Sequence, residues 1–294
     1  MPANISRAFR SILILLYAIF FALIIYYLVD GWSYYSAPLT DRPRLDAHIN
    51  LKPGGIRGHG LGMIGTFMML LLLLYSLRKR FSVFRNLGAI SRWLDLHIFM
   101  GIMGPLLIIL HSSFKLNGIV SISFWSMIAV ALSGVLGRYI YAQIPRGIRG
   151  NELGLQEVEG IDQQLSETLI KRFKLDDYQI KRLQSLSMKR VSEKRSLLRI
   201  LLTILTQDMF YFLQRPFQRY RIKKIVRLSG KELKHVQDLA HQKVVLKRRL
   251  ELWQRIHHIF HNWHIIHKPF AVIMYLIMVV HVALTIMLGY RWLF

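Results

Sequence analysis

The sequence predicts an all-α integral membrane protein, a five-span helix bundle with a long helical cytoplasmic insertion between spans four and five. Three observations lead there. Of the 294 residues, 53% are hydrophobic, and they collect in long runs. A helical segment of roughly 20 apolar residues is what a bilayer core of about 30 Å requires. The 40 Lys and Arg residues, against 16 Asp and Glu, give a net charge of +24 and fall mostly between those runs. Lastly, four of the 12 histidines lie inside the runs, in two pairs of equal spacing.

The first span is expected over residues 11–29, behind Arg7 and Arg10. It is longer than the apolar core of a signal peptide and is followed by Asp30-Gly31-Trp32, so it reads as an uncleaved anchor. The second span covers residues 61–77 and is closed by Arg78-Lys79-Arg80, and the third covers 94–111, behind Arg85 and Arg92. Spans four and five are expected over 119–142 and 267–288, the last ending near the C-terminus. Basic residues cluster before span one, between spans two and three, and between spans four and five, whereas the 112–118 link holds only Lys115. The positive-inside rule then places the N-terminus in the cytoplasm and the C-terminus outside a prokaryotic-type plasma (inner) membrane. The expected domains are residues 1–143 with spans one to four, a basic amphipathic helical domain over 144–262, and span five within 263–294.

Within the insertion, Leu165, Leu169, Ile170, Phe173 and Leu175 recur at near-helical spacing among charges. The apolar run 197–213 is harder to place, because a crossing there would reverse span five. It holds Arg199, Gln207 and Asp208, precedes Pro216, and is flanked by Lys194 and Arg195 on one side and Arg215, Arg219, Arg221, Lys223 and Lys224 on the other. This fits a helix lying flat on anionic headgroups. Membrane topology accounts for the excess of positive charge, so no nucleic-acid partner is expected. The basic insertion would instead dock other redox protein subunits of acidic surface.

His97 and His111 are fourteen positions apart, as are His267 and His281. On an α-helix that spacing turns through about 1400°, some 40° short of four full turns, and rises roughly 21 Å. Each pair thus faces one way, with one ring near each side of the hydrocarbon. Spans three and five run in the same direction, so His97 pairs with His267 and His111 with His281. Histidine in hydrocarbon is costly and calls for a partner, and two facing pairs at two depths would hold two haems. The absence of cysteine excludes c-type haem attachment, thiolate iron–sulfur clusters and disulfides, which leaves histidine as the remaining strong haem ligand. Gly101, Gly104 and Ile108 share the face of His97 and His111, and the two glycines would let a flat macrocycle approach. Ala271, Met274 and Met278 occupy the equivalent face of span five. Small residues of this kind also serve ordinary helix packing in membranes.

The pattern L-D-L-His97, thirteen residues, His111, with W-H-I-I-His267-K-P-F, ten residues, His281, resembles ferric-reductase-like transmembrane domains and the cytochrome b of quinol-oxidising complexes. The resemblance implies two b-type haems between two helices of a bundle, relaying electrons across the membrane, with quinone as a further candidate ligand. It covers spans three to five. The insertion is longer than a ferric reductase connection, no flavin or nucleotide domain follows span five, and five spans are fewer than the larger cytochrome b has.

Other histidines are candidates for secondary roles. His59 would serve a quinone pocket or a third haem. His264, with His257, His258 and His261, would carry protons to quinone, contact propionates or simply mark the membrane boundary. Arg92, Arg138, Lys268, Lys115 and Arg291 stand where propionates would be neutralised, or as topology signals. Residues 60–65 spell G-x-G-x-x-G without a preceding strand, which reads as helix packing rather than dinucleotide binding. Two other functions compete with electron transfer, namely a haem-bearing anchor for a soluble catalytic subunit and a transition-metal or proton transporter.

Overall fold

In the computed structural model every long apolar run is helical, as expected where backbone N–H and C=O groups must find partners within their own segment. The structure describes residues 3–84, 86–115, 118, 120–145, 154–187, 196–226 and 228–289. Arg85, Lys194, Arg195 and Arg291 lie outside them. The α-helices are α1 (Ala3–Asp30), α2 (Trp32–Tyr35), α3 (His48–Leu51), α4 (Ile56–Arg80), α5 (Ile90–His111), α6 (Val120–Gln143), α7 (Leu155–Phe173), α8 (Asp177–Ser187), α9 (Leu197–Val226), α10 (Gly230–Glu251) and α11 (Trp253–Met287). No strand occurs among the described residues.

Five of the helices are long and apolar enough to cross a membrane, namely α1, α4, α5, α6 and α11. Their ends depart from the apolar runs. Helix α11 begins at Trp253 rather than at 267 and reaches 35 residues. Apolarity marks the part of a helix suited to hydrocarbon, whereas polar residues of ordinary helix propensity carry the helix beyond it. Helix α9 likewise continues past 213 to Val226, with Pro216 inside it. Its two halves, Leu197–Tyr211 and Leu213–Val226, meet at 70°. Pro216 brings no N–H to the carbonyl four residues earlier and its ring crowds that turn, which accounts for the bend.

The chain divides into two compact units, Met1–Arg138 with Trp263–Phe294, and Tyr139–Asn262. In the first unit α4 and α5 approach closely because glycines face each other. A Cβ on Gly65 would meet Ile108 Cδ1 at 2.8 Å and the Gly104 carbonyl at 3.1 Å. Helix α1 packs on α5 through Tyr17 and Phe20, both edge-on to Phe99 with centroids at 4.9 and 5.4 Å. Helix α11 joins α6 through Trp263, whose indole N–H donates to the Ser133 carbonyl at 2.7 Å, and joins α4 through Tyr275, whose hydroxyl donates to the Met69 carbonyl at 2.6 Å. Buried Met69, Leu72, Met127 and Met274 close the centre.

The connection between α1 and α4 clasps the end of α5. Arg42 is buried and its guanidinium donates to three carbonyls, those of Ala37 (3.0 Å), Tyr35 (2.7 Å) and Ser113 (2.5 Å). The Ser113 hydroxyl donates to the Leu51 carbonyl at 2.6 Å. These bonds hold Ser113 and Phe114 at φ 49° and 60°, left-handed backbone that side chains disfavour. Helix α5 thereby ends at His111.

In the second unit α7, α8, α9 and α10 surround a core that includes Leu169, Leu183, Ile222, Val236 and Ala240. Buried Lys243 on α10 reaches the Asp162 carboxylate and the Ser166 hydroxyl on α7, each at 2.6 Å. The turn before α8 is fixed reciprocally, with the Gln179 N–H donating to Asp176 Oδ1 at 2.6 Å and the Asp176 N–H donating to Gln179 Oε1 at 3.1 Å.

Candidate functional site

The intramembrane-length helices place His97 and His111 on α5 and His267 and His281 on α11. His267 lies within electrostatic reach of His97 and of His264. His111 lies within reach of His281 and of His59. The histidines thus gather at two levels, and each level draws on both α5 and α11. Among the described residues no group of three or more His, Asp or Glu side chains converges.

Hydrogen bonds fix the form of three of these rings. His97 Nδ1 lies 3.2 Å from the Leu72 carbonyl, and His111 Nδ1 lies 2.8 Å from the Gly58 carbonyl, both on α4. A carbonyl oxygen only accepts, so in each ring Nδ1 carries the proton and donates it. His267 Nδ1 lies 2.7 Å from Ser133 Oγ on α6. The Ser133 hydroxyl donates to the Val130 carbonyl at 2.9 Å, which leaves its oxygen to accept from His267. In a neutral ring of this tautomer Nε2 bears the lone pair, the form in which imidazole ligates a metal, with Nδ1–H held by an outer partner. Such a donor set would suit an iron porphyrin, whose iron these Nε2 atoms would hold. His281 is half-buried on α11, level with this group.

Glycines shape the space around the rings. A Cβ on Gly62 would fall 2.5 Å from His111 Nδ1, so only glycine there admits the ring. Gly134 on α6 faces His267 Cε1, at 3.9 Å from a built Cβ. Gly101 keeps its neighbourhood open, with only Leu72 Cδ2 at 3.8 Å. Gly104 faces α4. Met69 Sδ sits 3.1 Å from where its Cβ would be, because close approach of α4 to α5 consumes that space. Met274 is buried in the bundle centre and Met278 packs beside it.

Aromatic rings flank the pair His97 and His267. Tyr75 lies 5.0 Å from the His97 ring and Trp263 lies 4.8 Å from the His267 ring, centroid to centroid. Trp263 approaches α6 at Gly137, where a Cβ would run into the indole ring. Sequence reasoning missed Ser133, Gly134 and Gly137, and read Gly62 only as helix packing. A hydroxyl inside an apolar run was the available signal for Ser133, and two glycines three residues apart in span four for the approach of Trp263. Of the cations expected near a propionate, Arg138 instead faces Asp95 at 3.4 Å and Arg92 lies over the Phe9 ring at 5.8 Å.

No protein-family model, curated protein or solved structure matches this chain.

Proposed function

We propose that this chain is a membrane cytochrome b-type subunit that carries two b haems, one ligated by His97 and His267 and one by His111 and His281. It moves electrons across a prokaryotic-type plasma membrane, between the quinone pool and a partner redox subunit. The observation that carries the reading is the shared tautomer. Three intramembrane histidines hold Nδ1–H on an acceptor of a neighbouring helix, and each keeps Nε2 for a ligand.

Each haem, when bound, supplies a one-electron couple whose potential follows its ligands and its burial. The chain's own part is to orient and to dry the site. The carbonyls of Leu72 and Gly58 and the hydroxyl of Ser133 set the ring planes, while Met69, Leu72, Met127 and Met274 exclude water between the two levels. The distribution of Lys and Arg supports a cytoplasmic N-terminus and a cytoplasmic second unit, whose basic surface suits an acidic partner.

Four single substitutions test the proposal, His97→Ala, His111→Ala, His267→Ala and His281→Ala. Pyridine haemochrome assay of each purified variant should show loss of about half the haem, since either ligand serves one centre. The two members of a pair should remove the same spectral component. Full haem content in all four variants would end the proposal.

A further inference from the structure

The first half of α9 carries an apolar stripe that the rest of the second unit does not cover. Leu198, Leu202, Leu205 and Met209 are 66%, 50%, 38% and 59% exposed. Their spacings of four, three and four residues keep them on one face of a helix. On the opposite face Ile200 and Ile204 are buried, at 0% and 2% exposure. The helix is therefore docked on its own domain by one side and presents hydrocarbon on the other.

Its position follows from a polar knot. The Asp208 carboxylate accepts from the Tyr139 hydroxyl at 2.7 Å and from Gln143 Nε2 at 3.1 Å, and pairs with Arg248 at 2.9 Å. Tyr139 and Gln143 lie in the last two turns of α6, a helix of membrane-crossing length. The knot ties α9 to Tyr139 and Gln143. It also satisfies Asp208, the residue least suited to an apolar surface, by partners within the protein. Arg199 is exposed on the same half, Lys194 and Arg195 precede it in sequence, and Arg215, Arg219, Arg221, Lys223 and Lys224 follow.

We propose that residues 197–211 form an in-plane helix at the surface of an anionic bilayer, with Leu198, Leu202, Leu205 and Met209 entering the acyl boundary. Exposed Arg199, Lys223 and Lys224 then meet lipid phosphates, and the Asp208 knot sets the depth. An apolar stripe with cationic ends is what binds such a surface, whereas a transmembrane passage would carry Arg199, Gln207 and Asp208 through hydrocarbon at high cost. The inference rests on the membrane reading of the chain and adds to it a lipid-binding surface on the second unit.

The full chain contains no cysteine, so single spin labels report one site each. Leu198→Cys, Leu202→Cys, Leu205→Cys and Met209→Cys are to be labelled in nanodiscs of phosphatidylcholine and phosphatidylglycerol. Leu132→Cys on α6 and Glu232→Cys on α10, both exposed, serve as lipid and water references. The stripe labels should collide with oxygen and lose access to a water-soluble nickel chelate, as Leu132→Cys does, while labels at Arg199 and Thr206 on the helix flank keep that access. Stripe labels that behave like Glu232→Cys would overturn the inference, with Leu132→Cys still reporting lipid. Lipid-like values at stripe and flank alike, deepening along the segment, would overturn it in favour of a crossing. In nanodiscs of phosphatidylcholine alone the stripe labels should regain nickel access, and unchanged depth would overturn the assignment to anionic headgroups. A Leu132→Cys label that reads water would bring down the membrane reading itself, and this inference with it.

Discussion

Gly62 has no room for even a methyl group, because the His111 ring occupies that space and its Nδ1–H is held by the Gly58 carbonyl. Gly62→Ala should therefore displace the ring, and the expected outcome is loss of the His111 and His281 centre with the His97 and His267 centre retained, read by haem content and redox titration. Gly160→Ala is the matched control. Nothing lies within 4 Å of a Cβ at Gly160, so the change should stabilise α7 by about 0.5–1 kcal/mol, as alanine does over glycine in a helix. Equal loss in both variants, or none in either, would contradict the role given to Gly62. The histidine register was legible in the sequence, because ionisable residues are rare in apolar runs and equal spacing repeats a helical phase. The partners of those rings were not. Leu72 and Gly58 act through carbonyl oxygens that every residue possesses, and only the packing of α4 on α5 selects these two.

At the scale of elements, apolar runs forecast which segments become long helices, while the helix ends followed capping and propensity outside the runs. Pro216 stood beyond the apolar run in the sequence, whereas α9 runs through it with a bend, and the use of its two faces was not legible, since leucine and isoleucine look alike until a domain covers one side. The α9–α10 contact has a pH dependence of its own. His241 stacks on Tyr211 with ring centroids 3.5 Å apart, and its Nδ1 is buried with no hydrogen-bond partner. Burial lowers its pKa from 6.5 to about 4, an effect that Asp208 and Asp238 oppose and Arg248 and Arg215 reinforce. The ring is thus neutral in the folded protein at neutral pH, while the unfolded chain takes up a proton near the ordinary histidine value. The stability that depends on this neutral ring is complete above pH 6.5 and is lost as the pH falls through that value toward about 4. Amide hydrogen exchange of α9 and α10 should accelerate over that window, beyond the intrinsic pH effect, and His241→Phe should remove the acceleration. Protection that stays flat with pH in the unsubstituted protein would contradict this.

For the whole molecule, charge and hydropathy forecast five membrane-length helices and one long helical insertion, because both follow from composition over many residues. The last turns of α6, from Tyr139, group with the residues up to Asn262, and Tyr139 and Gln143 bond to Asp208, which is distant in sequence. The central claim is that the paired histidines of α5 and α11 hold two haems, and it applies to the intact chain in its membrane. The most direct measurement is a reduced-minus-oxidised absorption spectrum of the purified full-length protein, with haem quantified against protein by pyridine haemochrome. Two b-type haems per chain is the predicted result, and a folded protein with no Soret band would contradict the account.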